Sequence, residues 1–137
     1  MKIKLLDPEC KPAKKYSYDA GWDLRARESC IICPGETVKI GAGIAVEIPR
    51  GYVGDIRPRS SISAKGLILP IGTVDCGYTG EIGIILINTG NNAQKIERGE
   101  RIAQLIVTPC LLPNLETVEE LPESERGSDG FGSTGVR

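Results

Sequence analysis

Near its end the chain reads Arg126-Gly127-Ser128-Asp129-Gly130-Phe131-Gly132-Ser133-Thr134-Gly135, a guanidinium, three hydroxyls and the only phenylalanine set among glycines. Glycine frees the backbone sterically, and consecutive N–H groups can then wrap around an anion. A flat ring on the same strap offers a face to a stackable base. Ordering such a strap costs roughly 1 kcal/mol or more per residue, so closure needs a ligand that offsets the loss. The combination suits a phosphate-bearing ligand with a base; the plain alternative is a loose terminus with no ligand.

Four further segments carry more chemistry than a plain β-domain needs. Ala20-Gly21-Trp22-Asp23-Leu24-Arg25-Ala26 sets an acid and a base among apolar residues, where an unpaired charge is costly to bury. A structural Asp23–Arg25 network is the alternative to a ligand role. Pro58-Arg59-Ser60-Ser61-Ile62-Ser63 offers a guanidinium and hydroxyls at the start of a short helix, either as N-caps or as anion ligands. The stretch from Ile71 to Gly83 reads as a glycine-rich hairpin whose backbone can approach a flat ligand edge. Asp75 and Tyr78 lie three apart around its Cys76-Gly77 turn; an Asx turn with a packed tyrosine is the competing reading. In Gly99-Glu100-Arg101-Ile102-Ala103-Gln104-Leu105, Gln104 interrupts an apolar strand, and an amide there needs a backbone or ligand partner.

Composition narrows the chemistry. The 137 residues are 40% hydrophobic and 26% charged with a formal net charge of −1. That suits one globular domain, large enough for a core and small enough to gain from oligomerisation. It lacks the basic excess that marks a nucleic-acid-binding surface, so direct nucleic-acid binding is not expected. No apolar run approaches the ~20 residues that span a bilayer. The Met1–Asp7 segment is too short an apolar stretch for a signal peptide, and a cytoplasmic location is expected. Histidine is absent, which excludes Ser-His-Asp and Cys-His catalysis. Five cysteines are an odd set, against a complete disulfide framework. Cys30 and Cys33 form a C-x-x-C that could be redox-active or half a zinc site, but no second pair completes a tetrahedral set.

The elements that must position these groups are short and β-rich. Gly43 to Ile48, Tyr52 to Arg57, Gly80 to Asn88 and Arg101 to Val107 are rich in Ile and Val and bounded by glycine, proline and asparagine turns. One short helix is predicted over Ser60 to Lys65. Many short strands at near-regular spacing predict an all-β fold, a distorted jelly-roll barrel or sandwich. The domain is expected over 1–122. From Pro113 the chain turns acidic, reading as an exit strand and linker into a flexible glycine-rich arm over 123–137.

In this order, A-G-x-D-L-R-A, P-R-S-S, V-D-x-x-Y-x-G, G-x-R-I-A-Q-L and R-G-x-x-G-F-G-S-T-G, from Ala20 to Gly135, resemble the five motifs of the trimeric deoxyuridine triphosphatases (dUTPases). The resemblance implies a jelly-roll subunit and a homotrimer with sites at subunit contacts, each closed by a neighbour's arm. It implies attack of water on the α-phosphorus of dUTP, giving dUMP and pyrophosphate, which limits uracil incorporation into DNA and supplies dUMP for thymidylate synthesis. Backbone at Gly72, Thr73 and Gly83 would read the uracil edge, and Tyr78 would lie under the sugar and exclude a 2′-hydroxyl. Asp75 would contact the 3′-hydroxyl and orient the water. Arg59, Ser60, Ser61 and Gln104 would hold phosphates, Ser60 nearest the α-phosphate. Arg126 would clamp the far phosphates, and Phe131, with Gly132 beside it, would stack over the base. Mg²⁺ would ride on the triphosphate, reaching Asp23 through water.

One position departs from the pattern of many dUTPases: Gly77 stands where a second acid is common. The Asp-x-Gly-aromatic order is closer to the related dCTP deaminases, in which a glutamate on the next strand activates water. Its counterpart here is Ile85, which cannot transfer a proton, so deamination is not expected. The alternative from another class is a nucleotide-gated regulatory binding protein, with dUTP closing the arm as a switch.

Overall fold

A computed structural model describes residues 1–128. Among the described residues the strands are β1 (Lys2–Leu5), β2 (Trp22–Arg25), β3 (Cys30–Ile32), β4 (Thr37–Gly41), β5 (Ile44–Glu47), β6 (Tyr52–Pro58), β7 (Leu67–Ile68), β8 (Gly72–Val74), β9 (Gly83–Asn88), β10 (Gln94–Ile96) and β11 (Arg101–Pro109), with one α-helix, α1 (Ser60–Ser63), and a 3-10 turn over Pro8–Cys10. Every pairing is antiparallel, in sheets of order β2-β11-β6-β8, β4-β9-β7, β1-β5 and β10-β3. Neighbours in a sheet are distant in sequence, the crossing connectivity of a jelly roll. The fold class is as predicted.

Alternation explains which faces turn inward. In β9, Ile84 and Leu86 are fully buried while Ile85 points out, and they join Leu24, Ile40, Ile56, Ile62, Ile102 and Leu105 in one core. Strand β11 breaks the alternation once. Its register against β2 shifts between Arg101 and Ala103, so Ile102 and Ala103 are both buried. A bulge of this kind flips every residue beyond it to the opposite face. Gln104 is thereby turned outward, opposite Asp23 on β2 and Arg57 on β6.

Four expectations are corrected. The Ile71–Gly83 stretch is not a hairpin: β8 pairs with β6, and β9 pairs with β4 and β7. The strand expected from Gly80 starts at Gly83, because Glu81 leaves the ladder direction to meet Arg27 and the Gly43 amide. The helix stops at Ser63 rather than Lys65, ended by Gly66 at φ +76°, a conformation that favours glycine. No exit strand forms after Pro109; the described chain beyond it holds neither strand nor helix.

Asn88, invisible as a special residue in the sequence, is the most deeply buried polar side chain. Its amide nitrogen donates to the carbonyls of Ile32 and Asn92 (2.8 Å each) and its oxygen accepts from the Gly90 amide at 2.9 Å. Replacing it with alanine strands buried backbone groups, and we expect Asn88→Ala to lower stability by roughly 2–3 kcal/mol, read from the urea midpoint. A change under about 0.5 kcal/mol would refute a structural role for the amide.

Candidate active site

The outer face of the β2-β11-β6-β8 sheet carries the site. Asp23 pairs across to Gln104, Gln104 to Arg57, and Ala13 bridges to the far side of Asp23, one row crossing four chain segments. The Asp23 carboxylate, 19% exposed, binds two guanidiniums: Oδ1 meets Arg59 Nε at 2.9 Å and Oδ2 meets Arg101 Nη1 at 3.1 Å. Arg25 is not its partner. That side chain donates to the Gly99 carbonyl at 2.8 Å, so the alternative of an Asp23–Arg25 network gives way to one that links β2, β11 and the residue after β6.

A cleft of about 470 Å³ opens over this row, lined by Lys14, Lys15, Asp19, Asp23, Arg59, Ser60, Arg101 and Gln104 among others. Arg59 is the residue at the helix start, and no side-chain hydrogen bond caps the helix. The serine hydroxyls are therefore not spent as N-caps; Ser60 and Ser61 are exposed, Ser60 on the cleft wall. Gln104 Nε2 donates to the Pro58 carbonyl at 3.1 Å. A primary amide carries two N–H donors, so a second remains for a ligand. Gly21 is required beside it, since a Cβ there would fall 2.9 Å from Gln104 Oε1. Guanidiniums, hydroxyls and an amide around an open cleft are the chemistry of an oxyanion site.

The second group of expected residues lies elsewhere. Gly54 pairs with Val74 and Ile56 with Gly72, so Asp75 falls beside Val53, six positions along β6 from Arg59. At about 3.3 Å per residue that is roughly 20 Å. Asp75 and Thr73 are exposed. The Asp75–Tyr78 turn is closed by the Tyr78 amide on the Asp75 carbonyl (3.1 Å), with Gly77 at φ +97°. Glycine takes a φ of this sign without the steric cost other residues meet, a local reason for Gly77 at the position where the resembled pattern commonly has a second acid. The Tyr78 hydroxyl donates to the Glu81 carbonyl at 2.9 Å, holding the ring over Gly80.

Gly83 is not opposite Gly72 and Thr73. It pairs with Gly41 and lies under the Lys39 stem. Strand β8 is the outermost of its sheet, and β7 covers β9 only at Ile87 and Asn88, so both Gly72–Val74 and Gly83 keep an unpaired backbone edge among the described ladders. Arg126 is exposed in the turn at 125–128; Phe131 and Gly132 lie outside the described residues. Sequence reasoning missed Arg101, Lys14, Lys15 and Asp19 on the cleft wall. Arg101 lay inside a quoted motif, but only the β2–β11 register brings it to Asp23.

The C-x-x-C gains no support as a reactive pair. All five cysteines are free, and among the described residues no cluster of His, Cys, Asp or Glu could hold a metal. Burial first, then the carboxylates of Glu28 and Glu36, pushes the Cys30 thiol above its ordinary value, whereas reactive thiols have theirs lowered.

The fold is an antiparallel jelly roll with a guanidinium-lined cleft on the outer face of one sheet. The chain belongs to the dUTPase family, whose sequence model matches residues 9–135. It is 45% identical to the deoxyuridine 5′-triphosphate nucleotidohydrolase of Clostridium tetani, over 98% of this chain and 96% of that one. The enzyme of the same name from Nautilia profundicola is 46% identical, over 98% of each chain. Among solved structures, the dUTPase of Staphylococcus bacteriophage 80alpha with dUPNHPP superposes with a TM-score of 0.90 at 36% identity, covering 98% of each chain. A mutant dUTPase of Staphylococcus aureus phage phi11, whose structure shows coordination of a structural Mg(II) ion, superposes with a TM-score of 0.83 at 29% identity, over 89% of this chain and 98% of that one. No helix among the described residues is long and apolar enough to cross a membrane.

Because thiolate is the reactive form, alkylation at pH 7.5 followed by mass spectrometry is expected to label exposed Cys33 ahead of Cys30, with Cys10 last. Cys10 is 1% exposed and its thiol is pushed up, mainly by burial. Cys30 reacting first would restore the redox reading.

Proposed function

We propose that the chain hydrolyses dUTP to dUMP and pyrophosphate in sites assembled between the subunits of a cytoplasmic homotrimer. The observation that carries this reading is the separation within one chain. Arg59 and Ser60 of the phosphate-holding group lie roughly 20 Å along β6 from Asp75, and Gln104, opposite Arg57, lies about 13 Å away, on the registers of β6 with β8 and β11. A nucleotide cannot touch both groups of one subunit at its reacting atoms, so the water-orienting carboxylate must come from a second copy.

The surface supports such assembly. Leu111, Leu112, Leu115, Val118 and Leu121 are between 57% and 98% exposed apart from Val118, at 50%, along a segment with no partner strand. That is apolar area a neighbouring subunit would cover.

In this reading Arg59, Ser60, Ser61 and Gln104 of one subunit hold the phosphates. Asp75 of a neighbour, against the sugar, accepts a hydrogen bond from a water in line with the α-phosphorus. The water oxygen bonds to that phosphorus, the bond to the oxygen bridging the β-phosphate breaks, and pyrophosphate leaves. The water's proton passes through Asp75 to solvent. Catalysis is then mostly positioning and charge neutralisation. The open backbone edges at Gly72–Thr73 and Gly83 suit the uracil edge, whose donors and acceptors differ from those of cytosine, and Tyr78 underlies the sugar. The arm over 123–137 closes the site, Arg126 toward the far phosphates and Phe131 and Gly132 over the base.

Mg²⁺ bound to the triphosphate would supply neutralisation of its oxygens. Both oxygens of Asp23 already accept from guanidiniums, so this carboxylate suits contact with the ion through water rather than direct ligation.

Pyrophosphate release from dUTP, dCTP, dTTP and UTP, with and without Mg²⁺, tests the substrate; we expect release from dUTP alone, and ammonia from dCTP would point to the deaminase instead. Asp75→Asn is expected to lower kcat by roughly 10²-fold or more; near-normal turnover would remove Asp75 from the mechanism. Complementation tests the assembly. Asp75→Asn and Arg59→Ala subunits, each nearly inactive alone, are expected to regain pyrophosphate release when co-refolded, because some mixed sites carry neither lesion. No recovery in mixed oligomers would show that both groups act within one chain.

A further inference from the structure

The cleft holds more positive charge than its two arginines explain. Its ionic lining is Lys14, Lys15, Arg59 and Arg101 against Asp19 and Asp23. Asp23 is taken up by both arginines. The Asp19 carboxylate accepts from the backbone amides of Lys15 (3.0 Å) and Tyr16 (2.8 Å), not from a lysine head. Neither lysine has a carboxylate partner among the described ion pairs, and both residues line the same cleft as Ser60 and Gln104.

Lys14 is also held in place. Its ammonium sits 4.0 Å from the centroid of the Trp22 ring and donates to the Asp19 carbonyl. The loop carrying it is tied at its base by the Asp23 amide on the Ala13 carbonyl (2.8 Å). A lysine kept over an aromatic face loses less side-chain freedom on meeting an anion than one waving in solvent. Lys15 follows it, with its ammonium 5.1 Å from the Tyr16 ring.

The row across the sheet gives the direction. Starting from Arg57 on β6, three residues before Ser60, it passes Gln104 on β11, Asp23 on β2 and then Ala13, adjoining Lys14. Three strand spacings separate the ends, about 14 Å. A polyphosphate anchored at Ser60 by its α-phosphate and lying across the strands runs past Gln104 and the Asp23-bound guanidiniums toward the end of the cleft that Lys14 and Lys15 line.

We propose that Lys14 and Lys15 bind the terminal phosphate of the nucleotide and make the site selective for a triphosphate over shorter phosphate chains. This rests on the dUTPase reading and adds a fixed cationic wall to the phosphate clamp expected from the arm.

The test measures KM and kcat for dUTP and inhibition by dUMP, for the intact chain and for Lys14→Gln, Lys15→Gln, the double substitution and Lys14→Arg/Lys15→Arg. The double glutamine variant is expected to raise the KM for dUTP about tenfold, the scale of losing charge-assisted contacts, with kcat within threefold. Its dUMP inhibition constant should move less than twofold, because dUMP lacks the terminal phosphate, and the double arginine variant should recover most of the affinity. Equal weakening of dUTP and dUMP would mean that the lysines only support the loop, and an unchanged KM would mean that they touch no phosphate; either overturns the proposal. Failure of the unaltered chain to release pyrophosphate from dUTP would instead overturn the function itself.

Discussion

The contact on which the site depends is the Asp23 carboxylate between two guanidiniums. Arg59 stands after β6 and Arg101 opens β11, and without Asp23 between them two like charges would be brought together beside a buried core. At the typical effective dielectric near a protein surface, such repulsion at close range is worth several kcal/mol. With Asp23 in place the pair becomes a compact cationic wall with fixed direction, each arginine held by one oxygen. Breaking a partly buried network of this kind costs more than forming it gains, because removing one member leaves the others uncompensated. The ion triad therefore ties three strands at the cleft floor and also sets how much positive charge is left for a ligand.

Strand β11 supplies the second constraint. Regular alternation from Ile102 would have sent Gln104 inward with the core. The register shift at Ile102 buries two successive apolar residues and so turns the amide to the cleft. A single inserted residue in one ladder moves a polar group from a position where it would be a liability to one where it can bind. The Pro58 carbonyl then fixes its orientation.

The separation of Asp75 from Arg59 links fold to function. One sheet carries both, yet the antiparallel register of β6 and β8 sends them to opposite ends. The chain thus carries a cationic cleft at one end and an exposed carboxylate on a glycine turn beside open backbone edges at the other. In the proposed trimer a second copy would join the two, which would make activity conditional on assembly and put the nucleotide where several chains exclude water.

Much was legible from residue order alone. The Ile- and Val-rich runs bounded by turn residues located β6 and β11 closely, because such side chains fit a pleated, half-buried surface. The segments that hold Asp23, Arg59, Ser60, Gln104 and Asp75 stood out by residue type, and only their order along the chain, resembling the dUTPase motifs, suggested roles for them. What spacing could not tell was which of them meet. Asp23 and Arg25, two apart on one face of β2, take different partners; Gly72 and Gly83, eleven apart across a turn, enter different sheets; Arg101, Lys14 and Lys15 gave no signal of their own. Those outcomes are set by long-range pairing, in which the burial of a whole sheet face chooses the register and the polar side chains follow. Local sequence determines what each residue is able to do, whereas the tertiary fold, by fixing which strands lie side by side, decides which residues do it together.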